Sequence, residues 1–92
     1  MTDPLTALRE RFRARAAADR AQLQILAEGD LNSSELRRLV HNLAGTAGTF
    51  GYASLSEAAG LIDDDMAAGL SANPVNIDRL KTMLDEVAWP SA

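Results

Sequence analysis

The sequence contains no cysteine, so disulfide staples and thiolate metal sites are excluded. It contains one histidine, His41, which excludes a multi-histidine zinc site but not a site that needs a single imidazole. No apolar run approaches the roughly 18 residues of a membrane span, and the start MTDPLTALRER lacks the apolar stretch of a secretory signal. The expected location is therefore the cytoplasm, away from any membrane. No glycine-rich phosphate cradle is present, so no kinase activity is expected of the chain itself. Basic residues are the minority, 9 against 13 acids for a net charge of −4, which argues against a nucleic-acid partner held by phosphate contacts. Aromatics are scarce too: Phe12, Phe50, Tyr52 and Trp89 are all there are.

What is present is alanine and leucine in quantity, a mixture that favours helix over sheet. The 92 residues suffice for one domain, 1–92, with a thin core. Charge is uneven along it. Residues 1–20 hold five arginines and three acids, whereas residues 21–92 hold four bases and ten acids. The arginine-rich start reads as an exposed helix face rather than a basic interaction helix.

Four amphipathic segments follow one another. The first opens at Asp3-Pro4, a cap followed by a proline suited to the first helical position. Its stripe is Leu5, Leu8, Phe12, Ala16, Leu23 and Leu26, and it closes at Glu28-Gly29-Asp30. The stripe thins around Ala16–Arg20, which predicts a kinked or split helix. The second segment begins near Asn32 or Ser33, where Asn32 and Glu35 are spaced as a capping box. Its stripe is Leu36, Val40, Leu43, Ala47 and Phe50, spaced 4, 3, 4, 3. Gly51-Tyr52 closes it. The third begins with Ser54 and Glu57 as a capping box, carries Leu55, Ala59, Ile62 and Met66, and ends at Gly69. A loop over 69–76 precedes the fourth, from about Asn76 to Ala88, with Ile77, Leu80, Leu84 and Val87 apolar and Pro90 beyond its end. One stripe per helix and short connections predict an all-α, antiparallel up-down four-helix bundle. Met66 and Met83 read as core filler. The run Asp63-Asp64-Asp65 reads as a solvated face rather than a metal site.

The second helix carries the functional signal. At about 100° per residue, His41 points roughly 140° away from the mean direction of its apolar stripe. Gly45 lies at roughly 180° and Gly48 at roughly 120° on the same side, with Arg37 and Arg38 one turn before the histidine. Each glycine inside a helix costs about 1 kcal/mol relative to alanine. Outward glycines gain nothing from the core, so the pattern implies that something large must approach His41. Asn42, Thr46 and Thr49 read as plain surface. Tyr52 falls near the azimuth of His41 if the helix continues, which makes it a candidate partner contact. A lone outward imidazole is poorly placed for general-base work, which needs a pocket and an orienting partner. It suits nucleophilic work, because the free base is available near neutrality.

The run His41-Asn42-Leu43-Ala44-Gly45-Thr46-Ala47-Gly48-Thr49-Phe50-Gly51 resembles the histidine phosphotransfer (HPt) domain family. The family pattern is roughly His-x-Leu-Lys-Gly-x-(Ser/Ala)-x-x-x-Gly, and His41, Leu43, Gly45, Ala47 and Gly51 match it. The run Leu55…Ile62 is similar to the helix that follows the motif. The resemblance implies a four-helix bundle that shuttles phosphoryl groups between receiver domains of two-component relays, with His41 as phosphoacceptor. Gly45, Gly48, Ala44 and Tyr52 would form the partner-docking surface. The partners implied are receiver domains of a hybrid histidine kinase, a response regulator or both. Mg²⁺ would reside in the partner receiver domain, with no metal or other cofactor in this chain. A monomer is expected. Ala44 departs from the pattern, since the family commonly has lysine there. Arg37 and Arg38 are the expected substitutes for neutralising the phosphoryl group. Two other readings compete: a receiver-binding module on the same bundle that accepts no phosphate, and a structural or dimerisation bundle hinted at by the arginine-rich start and Trp89.

Overall fold

Asp3-Pro4 starts a helix as its chemistry dictates. The Leu5 N–H donates to Asp3 Oδ1 at 3.0 Å, and Pro4 occupies the first helical position, where no N–H is needed. The computed structural model describes residues 3–90, which form α1 (Pro4–Ala27), α2 (Ser34–Thr49), α3 (Ala53–Ala67) and α4 (Pro74–Ala88). α1 packs on α2 and α4, and α3 packs on the same two, so the helices close a four-membered ring. The Ala72 N–H donates to the Leu31 carbonyl at 2.8 Å, tying the α1–α2 and α3–α4 connections together at one end. The α2–α3 link lies at the other end, giving the up-down four-helix bundle. Leu23, Leu36, Leu43, Ile62, Leu80 and Leu84 fill the core, each almost wholly removed from solvent.

α1 is a single helix of 24 residues, not the kinked or split pair expected near Ala16–Arg20. The stripe thins there because small Ala16 is itself fully buried. Arg20 is no break either: its Nε donates to Asp85 of α4 at 3.0 Å. The helix is about 36 Å long, against about 23 Å for each of the others. Its first two turns overhang the bundle, which leaves Leu5 and Leu8 exposed although they continue the apolar stripe.

One helix start falls on one of its two expected positions, and two others differ from the expected ones. The cap of α2 is Ser33, whose Oγ accepts from the Leu36 N–H at 3.1 Å, rather than Asn32, whose own N–H donates to Asp30. Ser54 does not cap α3: that helix starts at Ala53 behind Tyr52, with no side-chain cap. The cause is the end of α2. Gly51 adopts φ +86°, Tyr52 N–H donates to the Ala47 carbonyl at 2.8 Å and Gly51 N–H to that of Gly48 at 3.2 Å. This glycine-terminated motif turns the chain straight into the next helix. α4 begins at Pro74 rather than near Asn76, because Asn73 Oδ1 accepts from Val75 N–H at 2.9 Å, repeating the cap-plus-proline start of α1.

Candidate functional site

The apolar face of α2 is held between its neighbours by Leu36, Val40, Leu43 and Ala47, all buried. That seam turns His41 outward, with its side chain 70% exposed. The imidazole is not unsupported, however. Its Nδ1 lies 2.9 Å from Asp63 Oδ2 on α3. A carboxylate only accepts, so Nδ1 is the donor, and in the neutral ring Nε2 then keeps its lone pair. The absence of an orienting partner, expected for an outer face, is thereby corrected. So is the reading of Asp63-Asp64-Asp65 as a uniformly solvated run: the Asp63 side chain is only 16% exposed. Its other oxygen, Oδ1, is buried without a hydrogen bond and faces Arg37 Nε at 3.6 Å.

The two arginines before the histidine diverge. Arg37 leans toward α3 and Asp63. Arg38 shares one surface depression with Ser34, Arg37 and His41, and another on the α1 side with Arg15 and Asp19. A third cation, absent from the sequence candidates, comes from α1. Arg15 lines an open depression together with His41, Asn42, Gly45 and Thr46. Nothing in the linear pattern announces it, since Arg15 is one of five arginines near the start and only the packing of α1 on α2 selects it.

The glycines part ways. A Cβ built on Gly45 meets nothing within 4 Å, so its face is open. A Cβ on Gly48 would lie 3.3 Å from Ser56 Oγ of α3, and that hydroxyl donates to the Ala44 carbonyl at 2.7 Å. Gly48 thus lies in close approach to α3, a packing contact that the helical angle alone does not reveal. Ala44 is half-buried against the same helix. Tyr52 does not extend the azimuth of His41, because α2 ends at Thr49. Its ring stacks on Phe12 at 4.6 Å between centroids, and Phe50 stacks on Phe12 at 5.2 Å.

Asp19, in the groove between α1 and α2, is a half-buried carboxylate with Oδ2 lacking a hydrogen bond and Arg15 Nε 3.7 Å away. Burial pushes its pKa above the ordinary 3.8, with Arg15 opposing. A raised pKa means that the folded state holds the proton more tightly than the unfolded one. The contribution of Asp19 to stability is then fully present below 3.8 and is lost as pH rises through the folded value. Asp19→Asn is expected to raise the melting temperature at pH 7. Its advantage should vanish in melts below 3.8, where wild-type Asp19 is neutral in both states. An advantage independent of pH would show that the charge is not the cause.

Residues 7–88 match the family model of the Hpt domain, and the chain belongs to that family. Membership supports a histidine phosphotransfer role in two-component phosphorelay generally, and Hpt domains as a family are phosphocarriers rather than kinases. No curated protein and no solved structure matches the chain. Among the described residues no helix is long and apolar enough to cross a membrane.

Proposed function

We propose that His41 is the phosphoacceptor of a relay. Its Nε2 attacks the phosphorus of an aspartyl phosphate on a receiver domain of a hybrid kinase or response regulator. The N–P bond forms as the acyl P–O bond breaks and the aspartate carboxylate leaves. The reverse step, onto the aspartate of a second receiver, completes the transfer. The observation that carries this reading is the exposed imidazole beside open Gly45, since the reacting atom must enter a pocket belonging to another protein. Asn42, Thr46 and Thr49 keep the rim neutral. Arg15, Arg37 and Arg38 supply positive charge for the phosphoryl oxygens, where the family commonly uses the lysine that Ala44 replaces. Mg²⁺ belongs to the partner's acidic pocket in this scheme.

The test is incubation with a receiver phosphorylated on its aspartate. The expected result is an acid-labile, base-stable label on this chain that His41→Gln abolishes. Ala44 favours a second reading, a module that binds receivers without accepting phosphate. Binding without any label would establish that second reading and overturn the first.

A further inference from the structure

We infer that Arg15 of α1 is the cation that binds the phosphoryl group on His41, and that Asp19 is the positioning residue that holds Arg15 until the group arrives. The inference rests on the reading of His41 as acceptor. A phosphoryl group brings about two negative charges at pH 7, and a guanidinium fork matches its oxygens. Two depressions flank His41. The one on its N-terminal side holds Arg37 and Arg38, and Arg37 there already faces the Asp63 carboxylate at 3.6 Å. The other contains open Gly45, across which a docking partner passes. Among the described residues, Arg15 is the one arginine or lysine that lines it. The phosphoryl group arrives on that side with the partner, so Arg15 meets it.

Arg15 also stands on the divide between that depression and the α1–α2 groove, because Arg15 and Asn42 line both. On the groove side its Nε lies 3.7 Å from Asp19 Oδ2, one helical turn further on. The two charges attract, but the distance exceeds hydrogen-bond reach, and half of the Arg15 side chain is exposed. Asp19 is the fixed member of the pair: its side chain is 15% exposed and its Oδ2 has no hydrogen bond. Arg15 therefore exchanges Asp19 for phosphoryl oxygens without breaking a hydrogen bond to the carboxylate. The other charges in the groove are Glu35 and Arg38 of α2, of opposite sign, and on the α4 side Asp85 is engaged by Arg20 at 3.0 Å. Once Arg15 leaves, the covered carboxylate holds a proton from solvent more tightly. The coupling is reciprocal: whatever weakens the attraction between Asp19 and Arg15 strengthens the hold of Arg15 on the phosphoryl group.

The test labels His41 with phosphoramidate, a small donor that needs no docking. The chains compared are wild type, Arg15→Ala, Arg15→Lys, Arg37→Ala, Asp19→Asn and the double variant of Arg15→Ala with Asp19→Asn. A ³¹P NMR titration then reads the second ionisation of the phosphoryl group. A guanidinium beside the group favours its dianion, so Arg15→Ala should raise that pKa, and by more than Arg37→Ala does. Arg15→Lys should keep most of the wild-type value. Asp19→Asn should lower it, but not in the Arg15→Ala background, because Asp19 acts through Arg15. Labelling of Arg15→Ala should be about threefold to tenfold slower, with unchanged helix content by circular dichroism. An unchanged phosphoryl ionisation in Arg15→Ala overturns the inference, as does an equal or larger shift in Arg37→Ala. An Asp19→Asn shift that persists without Arg15 overturns the part given to Asp19. If wild-type His41 takes no label from phosphoramidate or from a phosphorylated receiver, the acceptor reading fails and the inference falls with it. Label on His41 with Arg15 silent sinks the inference alone.

Discussion

Gly45→Leu is expected to fold at least as firmly as the wild type and to lose about a hundredfold or more in phosphoryl exchange with a receiver partner. The two halves of that result have separate causes. Gly45 lies inside α2, and nothing stands within 4 Å of an added Cβ. Replacing it removes the backbone entropy that glycine loses in a helix, a gain of about 1 kcal/mol for alanine and nearly as much for leucine. In a domain of this size that raises the melting temperature by about 5 °C. The same side chain stands one turn after His41, on the face across which the partner must bring its aspartyl phosphate. An approach held off by about 1 Å is enough for the expected loss. Labelling of His41 by phosphoramidate, which needs no docking, should fall far less. Gly48→Ala provides the contrast. Its Cβ presses on Ser56 Oγ at 3.3 Å and disturbs the bond to Ala44, so a hydrogen bond worth about 1 kcal/mol offsets the helical gain. Equal stabilisation by Gly45→Ala and Gly48→Ala would contradict this account. Receiver transfer at wild-type rate in Gly45→Leu would remove Gly45 from the docking face.

Phe12→Ala is expected to be the most damaging core substitution, costing about 3–5 kcal/mol. Phe12 is 1% exposed and stacks on both Phe50 and Tyr52, so three of the four aromatics meet where α1 crosses the α2–α3 link. Truncation leaves a cavity at that end and strips two rings of their partner. The total stability of such domains is only about 5–15 kcal/mol, so the melting temperature should drop on the order of 20 °C. Urea unfolding followed by circular dichroism measures it. A cost below about 1 kcal/mol would mean that the three rings do not brace α1 against the link.

The helices and their faces were legible because an α-helix repeats every 3.6 residues and a stripe of leucines can be counted. The outward direction of His41 followed from the same count, and so did the open face of Gly45. Helix starts were less secure. Ser33 was one of two candidates, and Ser54 carried a convincing box that the glycine-terminated turn at Gly51 overrode. Tyr52 was misplaced for that same reason: its azimuth assumed a helix that Gly51 ends.

Periodicity within one helix says which way a side chain points, but not what another helix places beside it. The sequence by itself determined four amphipathic helices, an imidazole facing away from the core and a bare glycine in front of it. The tertiary structure decided that Asp63 of α3 meets Nδ1 of that imidazole, that Arg15 of α1 joins its rim, and that Gly48 sits close against Ser56 of α3. Each of these contacts crosses between helices. Rotation, stagger and overhang of neighbouring helices set them, and those are fixed by how all the buried side chains fit at once.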